Sequence, residues 1–276
     1  MRSTETLALR HAVALGLLQG PTELLPISSS GHIALLPWLA GWPYAELDGE
    51  LRKSFEVALH AGAGLALAID MRGQLLDEVT SMDRRSAAVL ALALAPPALA
   101  GLVLRSRIER LLGGPRSIAL GLAAGGLAMA LADTRAGRGE GRPCDDASAA
   151  DGLALGLAQA SALIPGVSRN GATLTAARAR GFGREASHTL SWNVALPVIL
   201  GASVLKGGRL LSHGAPRRAR AGLALGGASA FLSTLASVGA LRERGRERRS
   251  LLGYSLYRCL LAGLVMARLR RERLEG

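Results

Sequence analysis

Charge along this chain comes in blocks separated by long apolar runs. Residues 86–104 pass nineteen positions without a charged side chain, and residues 221–241 pass twenty-one. A helix needs about 20 apolar residues to cross roughly 30 Å of hydrocarbon, so both runs are predicted to span a bilayer. A soluble, Ala-rich helical bundle is the alternative. It should show a polar face at every turn, and 221–241 shows none. Residues 117–132 form a shorter run rich in Gly and Ala, the composition of a helix packed closely against others. Runs 186–205 and 250–267 are further spans, carrying His188 and Arg258 respectively, and 54–69 is marginal, with Glu56 inside it and Asp70 at its end. The pattern predicts an all-α polytopic membrane protein.

Charged clusters lie between the runs at 71–85, 105–116, 133–151, 206–220 and 242–249, and again from 268 onward. Residues 137–151 are Gly-rich, acidic at their end, and read as a mobile polar loop between a first half, 1–136, and a second, 152–276, of a single integral membrane domain. Basic clusters stand at both ends of the last span, so the positive-inside rule leaves orientation unassigned. Arg2, Arg10 and His11 precede the first apolar stretch with no small-residue cleavage site after it, so no cleaved signal peptide is expected.

The two halves share a pattern. Ala14-Leu15-Gly16-Leu17-Leu18-Gln19 recurs as Ala154-Leu155-Gly156-Leu157-Ala158-Gln159. After a one-residue gap, Leu24-Leu25-Pro26 is answered by Leu163-Ile164-Pro165, and Ser29 by Ser168. Each copy is an apolar helix interrupted by Pro and then by a Ser/Gly-rich stretch. Broken helices at matching places in two halves point to a midplane site between inverted repeats. Irregular backbone at that depth survives only where it lines a cavity.

The first copy carries Gln19 and Glu23, four apart and so on one helix face. Pro26 ends that helix, and Ser28, Ser29 and Ser30 are N-cap candidates for a new one. A helix N-terminus there is a ready anion site, and His32 lies one turn inside it. An ionisable Glu23 in an apolar segment is a functional candidate; the plainer reading pairs it with an arginine and leaves the serines as caps only. The second copy carries Ser168, again an N-cap candidate, then Arg169, Asn170 and Thr173. The Arg169 fork fits phosphate or carboxylate oxygens two at a time, and Thr173 can donate to the same ligand. An arginine snorkelling to lipid headgroups is the alternative for Arg169. Together these residues supply two helix N-termini, a guanidinium, a carboxylate, an imidazole and several hydroxyls. Phosphate is the natural anion for such a set.

Composition and charge narrow the classes. The 276 residues are 49% hydrophobic and 3% aromatic, with a mean hydropathy of +0.27, which excludes disorder. Two cysteines, Cys144 and Cys259, cannot staple a chain of this length, and no disulfide is expected between them. A net charge of +12 could signal nucleic acid, but the arginines flank apolar spans and suit anionic lipid headgroups instead. No nucleic acid partner is expected.

At the two polar constellations the chain resembles the undecaprenyl-diphosphate phosphatases, the bacitracin-resistance membrane family. The first family signature matches Gln19, Glu23, Pro26, Ser28, Ser29, Gly31 and His32; the second matches Pro165, Gly166, Ser168, Arg169 and Thr173, with Asn170 where the family usually has Ser. The likeness extends to His60-Ala-Gly62, Gly183-Arg-Glu-Ala-Ser187, Leu196–Ala202 and Tyr257-Arg258, and so covers nearly the whole chain. It implies a homodimeric enzyme of the bacterial inner membrane, with about six transmembrane helices, two re-entrant helix pairs and a site opening toward the periplasm. The implied reaction removes the terminal phosphate of undecaprenyl diphosphate, recycling the carrier for peptidoglycan synthesis and conferring bacitracin resistance. It also implies a divalent cation, Mg²⁺ or Ca²⁺, held by Glu23 with Gln19. Arg169 and the Ser28–Ser30 helix end would bind phosphate, with Ser168, Asn170 and Thr173 as further substrate contacts. Ser29 would be the nucleophile and His32 its base or the leaving-group acid; a phosphorylated His32 or a His-activated water stays open. Because inverted repeats also build secondary transporters, a polyprenyl-phosphate flippase or anion transporter is the alternative function, and a non-enzymatic polyprenyl-phosphate receptor a further one.

Overall fold

The computed structural model describes residues 7–137, 139, 141–213, 219–243 and 250–275. Among these the regular structure is helical: α1 Leu9–Leu24, α2 Ser29–Leu39, α3 Gly49–Asp70, α4 Arg72–Thr80, α5 Arg84–Val103, α6 Arg105–Leu112, α7 Pro115–Arg135, α8 Ala149–Ser161, α9 Arg169–Ala179, α10 Arg184–His213, α11 Arg220–Glu243 and α12 Leu252–Glu275. Four of them, α5, α7, α11 and α12, are long and apolar enough to cross a membrane; α3 and α4, bent by 67° at their junction, make a fifth if taken as one span. The chain is a multi-pass membrane protein. The marginal run 54–69 is the body of α3. The last span continues through the basic tail to Glu275, because arginine is a good helix former and does not stop a helix. Arg2 and the basic residues at 214–218 and 244–249 lie outside the described residues.

The residues fall into two compact units, and each draws on both sides of 137–151. One takes residues from 1–24, 32–81 and 196–244; the other takes them from 25–31, 82–195 and 245–276.

In the first unit α1 lies along α11, and α3 packs on α11 as well. The contact is close because small residues face each other. A side chain at Gly16 would meet the Gly226 carbonyl at 2.5 Å, and one at Gly62 would meet the Gly227 carbonyl. Ser233 ties the pair further: its Oγ accepts from Gly20 N at 3.0 Å and donates to Leu17 O at 2.7 Å. Ala12, Leu15, Leu51, Phe55, Leu59 and Leu223 form the apolar core beside it. Without water to drive burial between helices, van der Waals contact of this kind is what holds membrane helices together.

In the second unit α8 lies along α5 by the same device. Side chains at Gly152 and Gly156 would meet the carbonyls of Val89 and Leu92, each at 2.5 Å, and Gln159 Nε2 donates to Ala93 O at 3.0 Å. So α1 and α8, which open the two repeat copies, each pack through glycine on a helix from the other side of 137–151.

Two aspartates organise the polar end of this unit. Asp133 accepts from Arg178 Nε (3.1 Å), Arg184 Nε and Nη2 (both 3.0 Å), Ser250 Oγ (3.0 Å) and Leu251 N (3.0 Å). It joins the C-terminal turn of α7 to α9, α10 and the start of α12. Asp151 accepts from Arg142 Nη2 (2.9 Å), Arg180 Nε (2.6 Å) and Ser148 Oγ (2.6 Å), and Ser148 caps α8 in return. Burial works against ionisation of Asp151, but the hydrogen bonds from Arg142, Ser148 and Arg180 outweigh it and hold the carboxyl well below its ordinary range. Its stabilising charge is therefore complete at neutral pH and is lost only in strong acid, as pH falls through that depressed value. The segment expected to be a mobile loop is pinned where it is described. Arg142 exchanges backbone hydrogen bonds with Gly181 and Gly183, and its guanidinium lies 4.2 Å over the Phe182 ring.

Candidate active site

The first polar constellation begins on α1. Gln19 and Glu23 share a buried face, as their spacing requires, and Gln19 Nε2 donates to Glu23 Oε2 at 3.2 Å. Gln19 Oε1 is buried with no hydrogen-bond partner. The helix stops at Leu24, two residues before Pro26.

Ser28 then turns the chain with φ +78°, a left-handed conformation that non-glycine residues rarely adopt. Its Oγ accepts from Gly31 N at 3.3 Å and so caps α2. Of the three serines Ser28 is the cap; Ser29, half-buried, and Ser30, exposed, are the first two residues of the helix. Their N–H groups belong to the first turn, where the helix dipole is positive. His32 is buried in the same turn.

The second constellation repeats the construction. After α8 the chain turns through Gly166 with φ +91°, where a side chain would run into the Ile118 carbonyl. Ser168 caps α9, accepting from Gly171 N at 3.1 Å. Ser168 stands 140 residues after Ser28, as Gly171 does after Gly31 and Gly156 after Gly16. The caps therefore pair Ser168 with Ser28 rather than with Ser29, and the one-residue gap is confined to the three residues ending in the prolines. Arg169, half-buried, opens α9. Asn170 is buried and accepts through Oδ1 from Ser191 Oγ at 3.0 Å. Thr173 has no exposed surface. Its hydroxyl lies 2.5 Å from Ser191 Oγ and within 3.1 Å of the Arg169 and Asn170 carbonyls, inside the α9–α10 contact.

Arg258 joins the two serine turns. It sits in the second turn of α12 with 0% exposure, and its guanidinium serves four carbonyls: Pro26 (3.3 Å), Gly166 (3.2 Å), Gly121 (3.4 Å) and Leu122 (3.3 Å). The turn before α2 and the turn before α9 are thus held by one side chain. Gly171 completes the approach, since a side chain there would meet the Pro26 carbonyl at 3.3 Å and Arg258 Nη1 at 2.6 Å. Ser28, Ser29, Ser30, Ser168, Arg169, Asn170 and Thr173 accordingly belong to one unit, while Gln19, Glu23 and His32 belong to the other.

Two residues of this arrangement had no assigned part in the sequence. Arg258 gave a signal, the lone arginine in an apolar span, which is the mark of a buried charge with a job. Ser191 gave none, because a serine in a helix is ordinary until its partners are known.

The geometry offers two serine-capped helix N-termini, a guanidinium at one of them, and a serine hydroxyl and an imidazole at the other. Comparison with known proteins agrees with that chemistry. The family model described as bacitracin resistance protein BacA matches residues 12–264. A protein of Geobacter sulfurreducens named undecaprenyl-diphosphatase is 41% identical over 269 residues, covering 93% of this chain and 97% of its own. Proteins of the same name from Geobacter metallireducens and Moorella thermoacetica are 38% and 37% identical, over 92% and 93% of this chain and 95% and 96% of theirs. With signature, serine-capped turns and full-length similarity in agreement, this chain belongs to the bacitracin resistance protein BacA family.

Proposed function

We propose that this chain hydrolyses undecaprenyl diphosphate to undecaprenyl phosphate and phosphate, returning the carrier to peptidoglycan synthesis and removing the lipid that bacitracin targets. The observation that carries the reading is the pair of serine-capped turns clasped by Arg258, with Arg169 at the head of one helix and Ser29 at the head of the other. The relatives named undecaprenyl-diphosphatase support it.

In this mechanism Arg169 and the start of α9 take the terminal phosphate, the guanidinium matching two of its oxygens. Donors already in place stabilise the charge that grows as the P–O bond breaks. Ser29 Oγ attacks the terminal phosphorus while His32 accepts its proton, undecaprenyl phosphate leaves, and water then releases phosphate from the seryl ester. Ser28 and Ser168 bind through the helix ends they cap, Ser30 through its first-turn N–H, and Asn170 through its amide beside Arg169. A rapid-quench trap should yield an acid-stable phosphoserine; an acid-labile phosphoenzyme would move the covalent step to His32.

A divalent cation, Mg²⁺ or Ca²⁺, belongs to the same proposal. The unpartnered Gln19 Oε1 and the Glu23 carboxylate one turn away are an all-oxygen donor pair suited to a hard ion. Among the described residues no three His, Cys, Asp or Glu side chains converge. That suits Mg²⁺, which commonly takes only one or two carboxylates and fills its shell with substrate phosphate and water. When bound, the ion would neutralise diphosphate oxygens. Glu23→Gln is expected to abolish turnover and leave the unfolding temperature unchanged; wild-type activity of this variant across a metal titration would remove Glu23 from the site.

The proposal includes an inverted repeat with re-entrant pairs α1–α2 and α8–α9 and about six spans, supported by the crossed packing of α1 on α11 and α8 on α5. It also includes a homodimer in the bacterial inner membrane with its site opening to the periplasmic side. Phosphate release by detergent-solubilised protein tests the reaction against a flippase, because transport needs two compartments and hydrolysis does not. Arg169→Lys keeps the charge but loses the fork, and is expected to lose roughly 10²–10³ in kcat. An arginine that merely snorkels would tolerate lysine, so near-normal turnover in that variant would overturn its role.

A further inference from the structure

Ser191 is 1% exposed, lies on α10 and reaches back to α9, where it meets Asn170 and Thr173. Its Oγ is 3.0 Å from Asn170 Oδ1 and 2.5 Å from Thr173 Oγ1. A serine hydroxyl has one proton and accepts as well. With the Ser191 proton on Asn170 Oδ1, the Ser191 oxygen is the acceptor for Thr173, and the chain runs Thr173 to Ser191 to Asn170. The Asn170 amide is thereby gripped by its acceptor edge, and Nδ2 is the edge presented away from Ser191.

The grip matters because of what stands at this position. An amide has a donor edge and an acceptor edge of almost equal shape, and only its hydrogen bonds decide which way it faces. Turned the wrong way, Asn170 would offer a carbonyl oxygen to a phosphate and repel it. A serine at this position would have no such problem, since its hydroxyl rotates to suit.

We propose that Ser191 is a positioning residue, backed by Thr173, that orients the Asn170 amide so that Nδ2 donates to the phosphate bound at Arg169 and the start of α9. The inference rests on the phosphatase reading above. It makes Ser191 necessary because residue 170 is asparagine, and unnecessary otherwise.

The test is a cycle on the full-length, detergent-solubilised protein, with phosphate release from undecaprenyl diphosphate as readout. Ser191→Ala is expected to lower kcat about tenfold, the worth of one well-placed hydrogen bond, with KM little changed, because the donor counts most where charge develops. In the Asn170→Ser background the same substitution should cost less than about twofold, which is within the scatter of independent sites. Ser191→Cys, nearly the same size with a weaker donor, repeats the comparison if the alanine variant does not fold. An equal loss in both backgrounds would mean that Ser191 only packs α10 on α9, and would overturn the proposal, as would an unchanged kcat in Ser191→Ala. Absence of phosphate release from the wild-type chain would overturn the phosphatase reading itself, before any variant is compared.

Discussion

Arg258→Lys is expected to destabilise the protein by about 3–5 kcal/mol, since hydrogen bonds to a charged group contribute roughly 1.5–3 kcal/mol each and a lysine cannot keep them all. One guanidinium now serves the carbonyls of Pro26, Gly121, Leu122 and Gly166 from the second turn of α12. An ammonium is a compact charge on a flexible stem and cannot reach four carbonyls held in different directions. The released carbonyls are buried, so those left unmet add to the cost. The activity should suffer as well as the fold. The turns before α2 and α9 would relax apart, and a displacement of about 1 Å in a positioned group can lower turnover about 10²-fold. Thermal unfolding in detergent and phosphate release, measured on the same preparation, check both halves. If the lysine variant keeps its unfolding temperature and its turnover, the clasp is not what holds the two turns.

Asp133→Asn is expected to be as costly to stability, about 3–5 kcal/mol, by a different route. Asp133 and Arg178 are each 1% exposed, and the carboxylate also takes Arg184, Ser250 and the Leu251 N–H. Asparagine preserves the shape and removes the charge. It leaves Arg178 as a buried cation, and it turns an NH₂ donor toward groups that now donate to the carboxylate. The surface pair Arg268–Glu272, one turn apart on α12, is the internal control: Glu272→Gln should change stability by no more than about 0.5 kcal/mol. The unfolding temperatures of the two variants, measured side by side, check the contrast. Comparable losses at both positions would show that burial and convergence at Asp133 add nothing beyond an ordinary ion pair.

The legible parts of this protein were those fixed by neighbours in sequence. Residues 86–104 and 221–241 became α5 and α11 because apolar length alone decides a span. Gln19 and Glu23 met because four residues make one turn, and the helix before Pro26 stopped where proline forbids it to continue. The serine caps were legible as a group, and Ser28 was singled out only by its geometry. What stayed hidden depends on contacts across the chain. Arg258 binds a carbonyl 232 positions away, and Asp133 collects arginines from 45 and 51 positions on. Carbonyl acceptors carry no side-chain signature, so no motif announces where a buried arginine will find them. The packing of α1 on α11 and of α8 on α5 is of the same kind. It comes from glycine surfaces that fit one another, and many glycines in this sequence would have served as well on paper.

Ser28 sits where two demands narrow the choice of residue from opposite sides. The backbone at φ +78° favours glycine, with asparagine and aspartate next. The capping oxygen that receives Gly31 N rules glycine out and admits Ser, Thr, Asp or Asn. Threonine carries a branched Cβ that the left-handed region penalises, and aspartate would put a negative charge at the helix end proposed to take phosphate. That leaves serine and asparagine out of twenty. A library randomised at this codon should therefore return almost nothing but those two among active clones, whereas the matching cap, Ser168, carries no left-handed backbone and should accept threonine as well.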